Sequence, residues 1–79
     1  MEKSEILTRV KDVVSNVLKV ENSEITNESN FIFDLGADSM QSIELVAGFE
    51  EEFDIEMDED KALEVQNIDD AVNFIAEYI

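Results

Sequence analysis

The chain has 79 residues, five of them basic and 21 acidic, for a net charge of −16 at pH 7. A chain this short makes one small domain, and its charge disfavours nucleic acid and anionic membranes while favouring basic protein surfaces. It contains neither cysteine nor histidine, which excludes disulfides, thiolate or imidazole metal sites, and Ser-His or Cys-His catalysis in cis.

No apolar run approaches the ~20 residues of a membrane-spanning helix, and the acidic N-terminus lacks signal-peptide character. A cytoplasmic protein without membrane insertion is therefore expected. Ile6, Leu7, Val10, Val13, Val14, Val17 and Leu18 recur at helical spacing and predict a first helix from about Glu2 to Lys19. Residues Val20 to Asp38 carry turn and cap chemistry in Asn22-Ser23, Thr26-Asn27 and Ser29-Asn30. Ile25, Phe31, Ile32, Phe33 and Leu35 serve as the apolar anchors of this stretch, and the phenylalanines read as core residues. A connection of this length is unusual unless functional.

It leads to Leu35-Gly36-Ala37-Asp38-Ser39-Met40. Asp38 is a favoured N-cap type, and Gln41 supplies the far half of a capping box. With Asp38 as cap, Ser39 is the first residue of the second helix, and its hydroxyl is not needed to satisfy a backbone donor. Gly36 permits the tight or left-handed backbone that lifts this corner off the fold. An anion esterified to Ser39 would sit at the positive end of the helix dipole, worth roughly 0.3–1 kcal/mol at an exposed site. With no histidine to activate it, this serine reads as an attachment point and not as a nucleophile.

Along the second helix, Leu45, Val46, Phe49 and Phe53 fall on one side and make a core stripe. Met40, Ile43 and Ala47 fall on roughly the opposite side, interleaved with Glu44, Glu50 and Glu51. A short apolar ridge edged by carboxylates, starting beside a presented serine, suggests docking to a basic partner. Asp58 to Leu63 predicts a short third helix. Asn67 then caps a last helix that turns Ile68, Ala71, Val72 and Ile75 inward. The expected fold is an all-α, small four-helix bundle with three longer helices, one short helix and a long first loop. Asp58-Glu59-Asp60 does not start a calcium loop, because Leu63 would stand at the obligatory glycine and Asp69 at the bidentate glutamate. No specific metal site is expected.

Gly36-Ala37-Asp38-Ser39 followed by an apolar residue resembles the phosphopantetheine attachment motif of acyl carrier proteins. The similarity continues through Ile43-Glu44-Leu45-Val46 and Phe49-Glu50-Glu51-Glu52-Phe53-Asp54, and it covers the whole chain as one carrier domain, residues 1–79. The resemblance implies that Ser39 carries 4′-phosphopantetheine, added from coenzyme A by a phosphopantetheinyl transferase, with Gly36 and Asp38 shaping the site. It implies acyl groups held as thioesters on that arm, in fatty acid or a related polyketide or specialised lipid biosynthesis. Acyl synthases and acyltransferases with basic docking patches are the implied partners, and a monomer that is not itself an enzyme is the implied state. Met40, Gln41, Gly48 and the absence of proline depart from the commonest pattern. The rival reading is an acidic helical protein-interaction adaptor without a prosthetic group, against which the intact Gly36, Asp38 and Ser39 argue.

Overall fold

In the computed structural model, which describes residues 1–79, the helices are α1 (Lys3–Leu18), α2 (Ser39–Phe53), α3 (Glu59–Ala62) and α4 (Ile68–Ala76). A 3-10 turn at Asn22–Glu24 interrupts the connection from α1 to α2. The first helix is the expected one less a residue at each end, because Glu2 is its N-cap and Lys19 ends it in the left-handed conformation at φ 59°. Asp58 likewise caps α3, its carboxylate accepting from the Lys61 N–H. Asn67 caps α4 through the Asp70 N–H at 2.8 Å.

Packing is organised around α1, against which both α2 and α4 lie. Ile6, Val10 and Val14 of α1 are sealed from solvent together with Ile68 and Ile75 of α4. Gly48 explains how α2 comes so close. A Cβ at that position would stand 2.8 Å from Val13 Cγ1 and 3.7 Å from Val17 Cγ2. A glycine in mid-helix gives up about 0.8–1 kcal/mol of propensity relative to alanine. Forcing a methyl against a stiff, β-branched valine costs about 1–3 kcal/mol, so the contact outweighs the propensity. Gly48→Ala should therefore lower stability by about 1 kcal/mol, read as a reduced urea midpoint. A midpoint at or above wild type would show that Val13 yields without strain.

Charge is sorted by element. Lys3, Arg9 and Lys11 lie on α1 and Lys19 at its end, whereas residues 20–60 hold fourteen carboxylates and no basic residue. One ion pair crosses this divide, from Arg9 Nε to Glu52 Oε2 at 2.7 Å. Arg9 Nη2 also donates to the Glu52 carbonyl at 2.7 Å, and the guanidinium lies 4.9 Å from the centre of the Phe53 ring. An exposed pair alone is worth about 0–1 kcal/mol. Here the same cation also meets a carbonyl in the last turn of α2, where the helix dipole favours positive charge.

The connection before α2 is tied down at two levels. Phe31 N–H donates to the Gln66 carbonyl at 2.9 Å, Ile68 N–H to Ser29 at 3.2 Å, and Asp69 N–H to Asn27 at 2.9 Å, which fixes the loop to the start of α4. Within it, residues 30–36 close on themselves. The Asp34 and Leu35 N–H groups both donate to the Asn30 carbonyl at 3.0 Å, and Gly36 N–H donates to Ile32 at 3.1 Å. This near-helical turn gives the segment a period close to four, so Phe31 and Leu35 point inward. Ile32 and Phe33 do not anchor the core as the sequence led one to expect; they are 58% and 88% exposed. The expectation failed because consecutive apolar residues were read as one inward cluster, although a turn of this period can bury only every fourth. No helix of the structure is long and apolar enough to cross a membrane.

Candidate functional site

Ser39 is the first residue of α2 and is exposed. The helix start is held by a reciprocal capping box. Gln41 N–H donates to Asp38 Oδ1 at 2.8 Å, and Asp38 N–H donates to Gln41 Oε1 at 3.2 Å. Ser42 Oγ donates to the Asp38 carbonyl at 3.0 Å. Of the four amides that a helix start leaves without intrahelical partners, the box satisfies those of Asp38 and Gln41. Those of Ser39 and Met40 remain free, beside the exposed hydroxyl. Upstream, Gly36 has φ +76°, and a Cβ built there would meet nothing within 4 Å. Glycine is required here for its backbone angle and not for space. Ala37, buried, then pins the segment to the core between that turn and the cap.

This arrangement fits a phosphodiester on Ser39. Its oxygens carry negative charge, and the two free amides and the positive helix end are what such a group needs. One Asp38 carboxylate oxygen accepts from the Gln41 N–H at 2.8 Å, which fixes where that side chain stands beside Ser39.

Met40 is 70% and Ile43 51% exposed, and Ala47, Glu44 and Glu51 are exposed as well. The structure therefore brings the ridge together on the outer side of α2, adjoining Ser39. Glu50 differs from the others in that group. It is half-buried, and its Oε2 accepts from the Met57 N–H at 2.8 Å, so it braces the α2–α3 connection from inside. Any part it plays on the ridge is shared with that task.

Sequence reasoning missed a cavity of about 270 Å³ between the loop, α2, α3 and α4. Leu45, Val46 and Phe49 of α2, Ala71, Phe74 and Ile75 of α4, and Met57, Ala62 and Val65 form its apolar walls. Ser42, one turn past Ser39, is also in the lining. Its size lies just below the ~300–1,000 Å³ of small-molecule pockets. The sequence held one usable signal. Asn30 and Asp34 at a spacing of four mark a closed turn, which would have turned Ile32 and Phe33 outward.

A small acidic helical domain with a serine presented at a capped helix start is the form of a carrier that bears a covalent group. The family model for the phosphopantetheine attachment site matches residues 8–75, and the chain belongs to that family. It is 49% identical over 74 residues to the acyl carrier protein of Caulobacter vibrioides in strains NA1000 / CB15N and ATCC 19089, covering 94% of this chain and 95% of theirs. It is 47% identical over 74 residues to the acyl carrier protein of Phenylobacterium zucineum, covering 94% of each.

Proposed function

We propose that the chain is an acyl carrier protein, one domain over residues 1–79, with 4′-phosphopantetheine attached through the Ser39 hydroxyl. When bound, that group supplies a thiol on which acyl chains are held as thioesters. The observation that carries this reading is the exposed Ser39 at the first position of α2, beside two free amides and behind a complete capping box. Asp38 and Gln41 hold the helix start in place. The Ser39 and Met40 amides are positioned to receive phosphodiester oxygens, and Gly36 turns the incoming chain without crowding the hydroxyl. The cavity behind Ser42 shelters the acyl chain from water. The chain is thus a cosubstrate and not a catalyst, and its biosynthetic partner enzymes perform the chemistry.

Met40, Ile43, Ala47, Glu44 and Glu51, with Glu50 at the edge, form the surface for those partners. These are a phosphopantetheinyl transferase and acyl synthases or acyltransferases with basic patches, in fatty acid or related lipid biosynthesis. The carrier works as a monomer in the cytoplasm. The adaptor reading gives no reason for a free serine and two unpaired amides at one helix start. Intact-mass spectrometry of protein isolated from its native host tests the proposal. The expected mass exceeds that of the polypeptide by one phosphopantetheine, with or without an acyl group. Exclusively unmodified protein from growing cells would overturn it.

A further inference from the structure

The lining of the cavity includes three large apolar side chains that the fold leaves in water. Ile32 and Phe33 come from the loop, and Leu63, 42% exposed, from the end of α3. Single exposed apolar residues are ordinary. These three are not scattered, because two separate segments bring them to the lining of one cavity. Nor is Phe33 loosely held. Asn30 Oδ1 accepts from the N–H groups of Ile32 at 2.9 Å and Phe33 at 3.0 Å, and Asp34 Oδ2 accepts from Asn30 N–H at 2.7 Å. The turn therefore presents the backbone of Phe33 in a fixed position.

We infer that Ile32, Phe33 and Leu63 form the apolar outer lip of the cavity and set the acyl chain length the carrier protects. The inference rests on the reading of Ser39 as attachment site and of the cavity as acyl shelter. A chain tethered at Ser39 starts about 4.5 Å along the helix axis from Ser42 in the cavity wall. The cavity measures about 270 Å³ with these three residues counted in its lining, and they are its most exposed apolar members. A chain too long for the buried part reaches this rim, where its methylenes would meet water if the rim were acidic like most of this surface. The lip replaces that water with a phenyl ring and two aliphatic side chains. Each methylene so covered changes an equilibrium constant by about fourfold. A partner protein is the less suitable occupant. The lip lines the cavity itself, whereas the ridge edged by Glu44 and Glu51 lies on the outer side of α2.

The test loads the phosphopantetheinylated protein with butyryl, octanoyl or dodecanoyl groups and follows thioester cleavage by hydroxylamine. Wild type, Phe33→Ser, Leu63→Ser and Phe33→Leu are compared. Butyryl should be released at the wild-type rate from every variant. Dodecanoyl should be released about fourfold faster from Phe33→Ser and from Leu63→Ser, with Phe33→Leu close to wild type. Equal rates at every chain length overturn the lip. So does an equal acceleration for butyryl and dodecanoyl, which reports a loosened cavity, and so does unchanged protection combined with slower transfer to a synthase, which assigns Phe33 to a partner. A wild-type protein that releases all three chains alike overturns the cavity reading itself and the lip with it.

Discussion

Ser39→Ala should abolish phosphopantetheine addition while leaving the domain folded. Incubated with a transferase and coenzyme A, wild type should gain one group per chain and the variant none. The side chain of Ser39 plays no part in the capping box, which runs between Asp38 and Gln41. Its loss should therefore change stability by no more than about 0.5 kcal/mol, as for other surface substitutions. Ser42 cannot take over. Its hydroxyl donates to the Asp38 carbonyl, and the residue is half-buried at the cavity wall. Tryptic mass mapping that finds the group on the alanine variant would move the attachment elsewhere.

The second large effect divides the two sides of α2. Phe49→Ala should lower stability by about 3–5 kcal/mol, the usual range for a buried phenylalanine. Phe49 is buried among the core residues, and the stability of so small a domain is on the order of 5 kcal/mol. Loss of the cooperative transition is the expected result. Ile43→Ser, at a half-exposed position on the ridge, should stay within about 0.5 kcal/mol of wild type and yet slow phosphopantetheine transfer. Glu44→Lys should also fold normally and transfer slowly, because it sets a positive charge against the basic partner proposed above. Its defect should shrink as salt screens the attraction that wild type enjoys. Paired denaturant melts and transferase kinetics decide the matter. If Ile43→Ser costs as much stability as Phe49→Ala, the outer ridge is part of the core and the docking surface lies elsewhere.

The features legible in the sequence were those set by neighbours along the chain. Asp38 with Gln41, and Asn67, could be read as caps because a cap acts within three residues. The stripes of α1, α2 and α4 were legible because periodicity alone determines which side is buried. Features that depend on a partner distant in sequence were not. Gly48 departs from the commonest pattern with no local reason, and only the packing of Val13 against it supplies one. Glu50 read as a surface carboxylate until the Met57 amide folded back onto it. The cavity required four segments to converge, and no local pattern announces a space. Ile32 and Phe33 lie between these cases, since the turn that exposes them is local but its signal rests on two polar residues and not on the apolar ones.

The placement of Lys3, Arg9 and Lys11 on α1, apart from residues 20–60 whose only charged side chains are carboxylates, gives the molecule an electric dipole as well as a net charge. A net charge only draws a body nearer; a dipole also rotates it. In the field of a cationic protein the carrier experiences a torque that brings the acidic segment, and Ser39 within it, to the front while α1 trails. This alignment acts before any side chains touch, over roughly the 8 Å that physiological salt leaves unscreened. The basic residues of α1 would thus contribute to recognition from outside the proposed docking surface, by making one orientation of approach more frequent than the rest.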